Sequence, residues 1–297
     1  MRSRQQETEH RSVAVLGTGT MGAAMARRLL GDGASVVVWN RSAARAEPLA
    51  SAGAVVHASA ADAVVGADVV LTVLPTADAL VDLMIGGRVL DALARDAMWA
   101  QLGTIGVAAT ERLATVTRAQ RPDVSFVDAP VSGSRASAEA GQLLVLASGP
   151  AGAEERLAPV FDALGRRTLW LGDAGSGTRL KLVLNTSLAF EVEAAAEAAA
   201  LATRLGIGTD VLADSVSGGP LASPLAVAKF GKISSGDHRS DFALEWALKD
   251  LDLAAVAAGP GVAPVAGAIA RRWRELVAHG HGDEDVSAAG LELGSVA

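Results

Sequence analysis

The chain contains no cysteine and no tyrosine among its 297 residues. Without thiols it has no disulfides, no cysteine nucleophile and no thiolate metal site, and it suits a reducing, cytoplasmic setting. Aromatic residues supply only 3% of the chain, which favours closely packed helices over an aromatic-rich β-sandwich. Basic runs are missing as well. Lys and Arg total 26 against 33 Asp and Glu, and a formal charge of −7 argues against nucleic acid as a partner. No apolar run reaches the roughly 18–20 residues of a membrane span before charge or glycine interrupts it. The polar opening MRSRQQETEHR lacks the apolar core of a signal peptide, so residues 1–10 are expected to form a flexible leader. No residue pattern points to a metal.

Half of the residues are apolar, and the length suits two domains. Ser12–Leu16, Ala23–Leu30 and Ser35–Asn40 read as strand, helix, strand, which is one βαβ unit. Further strands are expected at 55–56, 68–74, 98–102, 124–127, 143–147 and 168–171, mostly with helical segments between them, and imply a parallel, doubly wound sheet. The pattern changes at Gly175. A helix without Pro or Gly is predicted over 178–205, and further helices over 209–217, 224–232, 242–258 and 265–278. The expected organisation is an α/β domain at residues 11–174 and an all-α domain at residues 175–297. The broad Ala and Leu faces of the second suggest burial against another copy, as a homodimer or homotetramer.

Gly17-Thr18-Gly19-Thr20-Met21-Gly22 closes the first strand and opens the first helix, the context a dinucleotide fingerprint requires. Gly17 permits the tight turn, Gly19 lets a pyrophosphate approach the backbone, and Gly22 lets helix pack on strand. The second strand ends in Asn40-Arg41-Ser42, with no carboxylate to repel a 2′-phosphate and with Arg41 able to pair with one, so NADP(H) is expected over NAD(H). Leu74-Pro75-Thr76 and Gly103-Thr104-Ile105 close the fourth and fifth strands, at the edge where open α/β sheets bind ligands. Asp128-Ala129-Pro130-Val131-Ser132-Gly133-Ser134 offers hydroxyls and bare N–H groups to a carboxylate or carbonyl, although a structural turn uses the same residues.

Lys181 and Asn185, four residues apart, share one face of the long helix. A lone helical lysine is usually solvated. The flanking Leu180, Leu182, Val183 and Leu184 nevertheless leave little obvious solvent face, and desolvation would draw the amine toward the working pH. Lys249-Asp250 is either a surface pair or a second cationic contact to a ligand.

Taken in order, GTGTMGAAMARRLL, NRS, LPT, GTI, DAPVSGS, GSGTRLKLVLN, LKDLDLA and GHGDEDVSA resemble the β-hydroxyacid dehydrogenase family, which includes 3-hydroxyisobutyrate dehydrogenases and glyoxylate/succinic semialdehyde reductases. The resemblance implies an N-terminal Rossmann domain, a C-terminal domain like that of 6-phosphogluconate dehydrogenase, and a cleft between them. It implies Lys181 as the catalytic lysine, Asn185 as its substrate-side partner, and Ser132, Gly133 and Ser134 as the substrate-carboxylate site. Thr104 and Lys249 would lie near the cofactor, with Leu74 and Pro75 beside it and Asp250 supporting Lys249. NRS resembles the NADP-preferring members. Arg135 departs from the pattern of the semialdehyde reductase branch, and Asp237-His238-Arg239 matches none. The expected reaction is hydride transfer interconverting a short carboxylate-bearing aldehyde or ketone and its hydroxyacid. An imine reductase, which usually carries Asp or Tyr in place of the lysine, and a non-catalytic NADP-binding protein are the alternatives.

Overall fold

The computed structural model describes residues 12–219 and 223–293, and the leader expected at residues 1–10 lies outside them. Packing divides the chain into two units between Lys181 and Leu182, inside the long helix expected over 178–205, which begins at Ser176.

The first unit contains strands β1 (Ser12–Leu16), β2 (Ser35–Trp39), β3 (Val55–Val56), β4 (Val69–Thr72), β5 (Met98–Gln101) and β6 (Ser125–Asp128). These form one six-stranded sheet in the order β3-β2-β1-β4-β5-β6, with parallel pairing throughout. Helices α1 (Thr20–Gly31), α2 (Ala43–Ala46), α3 (Ala60–Val64), α4 (Ala77–Val81), α5 (Val89–Ala92) and α6 (Val107–Gln120) fill the crossovers. Both faces are buried, as the unbroken apolar strands require. Val13 and Val15 join Met25 and Leu29 of α1 in one core, while Ala14 and Leu16 join Leu80, Trp99 and Phe126 in another. This is the Rossmann arrangement, and the order reverses between β1 and β4.

The last two expected strands do not extend this sheet. A second, three-stranded sheet contains β7 (Val131–Ser132), β8 (Leu143–Ala147) and β9 (Gly165–Trp170), with β7 antiparallel and β9 parallel to β8. Pro130 follows the end of β6 and has no N–H to continue a ladder, so the chain leaves the sheet there. Helices α7 (Arg135–Glu139) and α8 (Ala153–Leu164) connect these strands and pack against α1.

Helix α9 (Ser176–Arg204) begins in the first unit and runs on into the second. The second unit adds α10 (Thr209–Val216), α11 (Pro224–Ser235), α12 (Leu244–Ala258) and α13 (Pro264–Leu276). Its core gathers Ala189 and Val192 of α9, Leu244, Leu248 and Leu251 of α12, and Ile269 and Leu276 of α13 around the fully buried Trp273. Glu193 is buried within it. Its carboxylate accepts from Trp273 Nε1 at 2.8 Å and from the Arg272 guanidinium, so the charge is both hydrogen-bonded and paired. Val183 and Leu201 of α9, Leu205 just after it and Val211 of α10 are exposed on the chain.

Candidate active site

Parallel register aligns Trp39, Leu16, Thr72, Gln101 and Asp128 in one row across the carboxyl edge of the first sheet. The loops that follow these residues carry the first half of the site.

Gly17, one residue past β1, has φ 102°, and a Cβ on it would lie 2.4 Å from the Val73 carbonyl oxygen. A Cβ on Gly22 would lie 1.9 Å from the Gly17 carbonyl oxygen, so α1 leaves the turn with no room for a methyl group. Gly19 differs: its Cβ would meet open space. Gly19 is the N-cap of α1, where no side chain caps the helix and no acid occupies the first turn. The N–H groups of Thr20, Met21 and Gly22 therefore head an uncapped helix whose dipole favours an anion. The Thr18 hydroxyl is buried and has no hydrogen-bond partner among the described residues. A bare glycine, free N–H groups and an orphaned hydroxyl together fit a dinucleotide pyrophosphate.

Asn40 ties this turn to the end of β2. Its Oδ1 accepts from Thr18 N at 3.0 Å, and its Nδ2 donates to the Ser42 carbonyl at 3.0 Å. Both ends of the amide thus hold backbone, a supporting role beside its expected cofactor contact. Arg41 and Ser42 are exposed beyond it, and Arg45 is exposed on α2.

The loops after β4 and β5 meet the same turn. Leu74 packs where a Gly17 side chain would stand, and a Cβ on Gly103 would lie 2.2 Å from the Leu74 carbonyl oxygen. Gln101 fixes the second loop by accepting from Gly103 N at 2.7 Å and donating to its carbonyl at 2.6 Å. Thr104 follows, half-buried, and Thr76 caps α4 through Ala79 N at 3.3 Å. Gly17–Gly22, Asn40, Leu74, Pro75 and Thr104 therefore gather at one edge.

Asp128 ends the row and is fully buried. Its carboxylate accepts from Gly175 N at 3.1 Å, Thr178 N at 2.8 Å, the Thr178 hydroxyl at 2.7 Å and the Ser148 hydroxyl at 3.1 Å. Burial pushes this carboxyl above the usual carboxylate range, while the donors of Thr178, Ser148 and Gly175 pull it back. Beyond Pro130, Ser132 ends β7 and Gly133 takes φ 141°. The Ser134 hydroxyl accepts from Ser137 N at 3.2 Å as the cap of α7 and shares a second hydrogen bond of 3.2 Å with the Ser137 hydroxyl, in which either oxygen can donate. Arg135 pairs with Glu139 on the exposed side of that helix.

Lys181 is half-buried at the end of the first unit; Val183 beside it is 61% exposed, so the apolar flank predicted around the lysine is only partly closed. In the second unit Asn185 and Lys249 come together on one carboxylate. Asp250 accepts from Asn185 Nδ2 on one oxygen and from Lys249 Nζ at 2.7 Å on the other. Asn185 and Asp250 are both buried. The remaining unassigned segment forms a local pair, with the Arg239 guanidinium holding the Asp237 carboxyl well below the usual carboxylate range. Among the described residues no group of three or more His, Asp or Glu side chains could hold a metal, and no helix is long and apolar enough to cross a membrane.

Two roles escaped the sequence reading. Asp128 was part of a motif but not seen as the anchor of α9, and Asp250 was not seen to hold Asn185. A faint signal for the first existed: the segment Gly175-Ser176-Gly177-Thr178 opens a helix with no acid in its first turn.

The glycine turn, the uncapped helix and the reversal of strand order define a Rossmann fold of the dinucleotide-binding class. Comparisons with known proteins refine this. Residues 12–172 match the NAD binding domain of 6-phosphogluconate dehydrogenase, and residues 175–291 match the NAD-binding domain of NADP-dependent 3-hydroxyisobutyrate dehydrogenase. Glyoxylate/succinic semialdehyde reductase 1 of Arabidopsis thaliana is 31% identical over 281 residues, which span 93% of this chain and 96% of that protein. The Mycobacterium tuberculosis 3-hydroxyisobutyrate dehydrogenase, solved with L-serine, aligns with a TM-score of 0.85 and 30% identity over 96% of this chain and 99% of that one. The 3-hydroxyisobutyrate dehydrogenase of Salmonella typhimurium gives 0.85 and 29% over 94% and 98%. The chain belongs to the β-hydroxyacid dehydrogenase family of nicotinamide-dependent oxidoreductases.

Proposed function

We infer that the protein interconverts a short carboxylate-bearing aldehyde or ketone and the corresponding hydroxyacid, with NADP(H) preferred over NAD(H). The observation that carries this reading is Lys181 and Asn185 on one face of α9, with the amide of Asn185 held by Asp250. The protonated Lys181 ammonium hydrogen-bonds the substrate oxygen and donates the proton in reduction; neutral Lys181 accepts it in oxidation. Asn185 orients that oxygen. Ser132, Gly133 and Ser134 hold the substrate carboxylate and so fix the reacting carbon. Gly17–Gly22 receive the pyrophosphate, Arg41 the 2′-phosphate, and Leu74, Pro75, Thr104 and Lys249 flank the nicotinamide half. The dinucleotide, when bound, supplies or accepts the hydride. The names of the relatives support this substrate class, since glyoxylate, succinic semialdehyde and 3-hydroxyisobutyrate each pair a carboxylate with a carbonyl or hydroxyl.

The test is Lys181→Ala, assayed for NADPH consumption with glyoxylate and succinic semialdehyde and for NADP+ reduction with 3-hydroxyisobutyrate. Loss of a general acid predicts a fall in kcat of about 10²–10⁴-fold with cofactor binding retained. Turnover near that of the unmodified protein overturns the assignment.

A further inference from the structure

We propose that Asp128 is the positioning residue for Lys181: from the carboxyl edge of β6 it holds the first turn of α9, and with it the root of the lysine, against the cofactor-binding sheet. The proposal rests on the reading of Lys181 as the proton donor.

Helix α9 has no acidic residue in its own first turn. The carboxylate that stabilises its start comes from 50 residues earlier in the chain, taking both the N–H and the hydroxyl of Thr178. Gly175 N adds a third hydrogen bond, and Ser148 Oγ bridges from Asp128 at 3.1 Å to Gly177 N at 3.0 Å. The approach is close as well as polar. A Cβ on Gly177 would lie 2.1 Å from the Leu146 carbonyl oxygen, so the helix starts directly on β8. Every α9 donor to Asp128 and Ser148 lies in the turn just before Lys181.

The geometry matters because a lysine is a compact charge on a flexible four-carbon stem. What fixes its reach is where its backbone starts. Asp128 also begins the segment that runs through Ala129 and Pro130 to Ser132, Gly133 and Ser134. One buried carboxylate therefore sets the origin of both the proposed proton donor and the proposed carboxylate grip. A displacement near 1 Å at such a site costs about 10²-fold in rate.

The experiment compares Asp128→Asn, Thr178→Val and Thr178→Ser with the unmodified chain, counting active sites by NADPH-binding stoichiometry. Asp128→Asn keeps the volume but turns an amide toward donors. It is expected to lower kcat per site by at least ~30-fold, with the NADPH Kd unchanged within about twofold. Backbone amides at 175–178 should exchange with solvent at least ~10-fold faster. Thr178→Val removes one donor at constant shape and should also lower kcat, and Thr178→Ser should recover most of that loss. If Asp128→Asn does not fold, the Thr178 pair carries the test. Normal kcat per site in Asp128→Asn and Thr178→Val, beside an inactive Lys181→Ala, overturns the anchoring role alone. Normal turnover in Lys181→Ala overturns the function of the lysine instead.

Discussion

Asn185 directs its amide nitrogen, not its oxygen, at Asp250. An ionised carboxylate can only accept, so the neighbour itself dictates which way the amide faces. The Asn185 oxygen is left pointing elsewhere, available to accept from a hydroxyl or an ammonium. Lys249 completes the arrangement by neutralising the other Asp250 oxygen at 2.7 Å.

Replacing Asp250 by Asn removes the charge and lets the Asn185 amide turn over. The expected outcome is a loss of about tenfold or more in kcat/KM for the carbonyl substrate, with little change in the melting temperature. Asn185→Asp should be worse, because it sets two carboxylates against each other in a buried place. Steady-state kinetics beside thermal denaturation checks both.

The glycines of the turn should separate stability from binding. Gly22→Ala forces a methyl group into the Gly17 carbonyl and is expected to destabilise the first unit by about 2 kcal/mol or more. Gly19→Ala meets open space, so its melting temperature should hold while NADPH affinity falls. Thermal denaturation and fluorescence titration of NADPH distinguish the two. Equal melting temperatures would contradict the packing described for Gly22.

Arg41 is expected to carry the cofactor preference. Arg41→Glu brings a carboxylate to the end of β2, where it repels a 2′-phosphate and can hold ribose hydroxyls. The KM for NADPH should rise at least ~10-fold while that for NADH changes little or improves, which is about 1.4 kcal/mol or more of lost phosphate contact. Initial rates with both cofactors measure it.

Acid should weaken the helical unit through Asp285. Burial works to raise its carboxyl, yet Lys229 Nζ at 2.6 Å and the N–H groups of Ser287 and Asp241 outweigh it and leave it below the usual carboxylate range. A folded carboxyl held low means the unfolded chain binds the extra proton. Its contribution to stability is therefore complete above the unfolded value, near 4, and is lost as pH falls toward the folded one. Lys229→Met leaves Asp285 buried without its cation, and should cost about 3 kcal/mol at neutral pH and progressively less in acid. Melting temperatures between pH 7 and pH 3 test the trend.

The regular parts of the fold were legible because they rest on local chemistry. Alternating apolar strands and helices announced the parallel sheet, and Gly17–Gly22 announced the turn by its position between β1 and α1. That Lys181 and Asn185 share one helix was legible from the pattern without Pro or Gly over 178–205. What stayed hidden were relationships across long stretches of chain. Pro130 ends the first sheet and hands Leu143–Ala147 to a second one, a topological event that strand propensity does not register. The hold of Asp128 on Thr178 and the contact of Asp250 with Asn185 join residues about 50 and 65 positions apart. The sequence also does not register that the Asn40 amide, read there as a cofactor contact, holds the backbone of Thr18 and Ser42 as well.

The nucleotide-side wall carries a lesson for anyone redesigning this protein. At Gly17, Gly22 and Gly103 the neighbour that blocks a side chain is main-chain oxygen, which no substitution elsewhere can trim away. That wall is in effect closed to editing. The exposed rim at Arg41, Ser42 and Arg45 is where changes in coenzyme choice are expected to be tolerated, because replacement there costs the fold little and leaves the mould untouched.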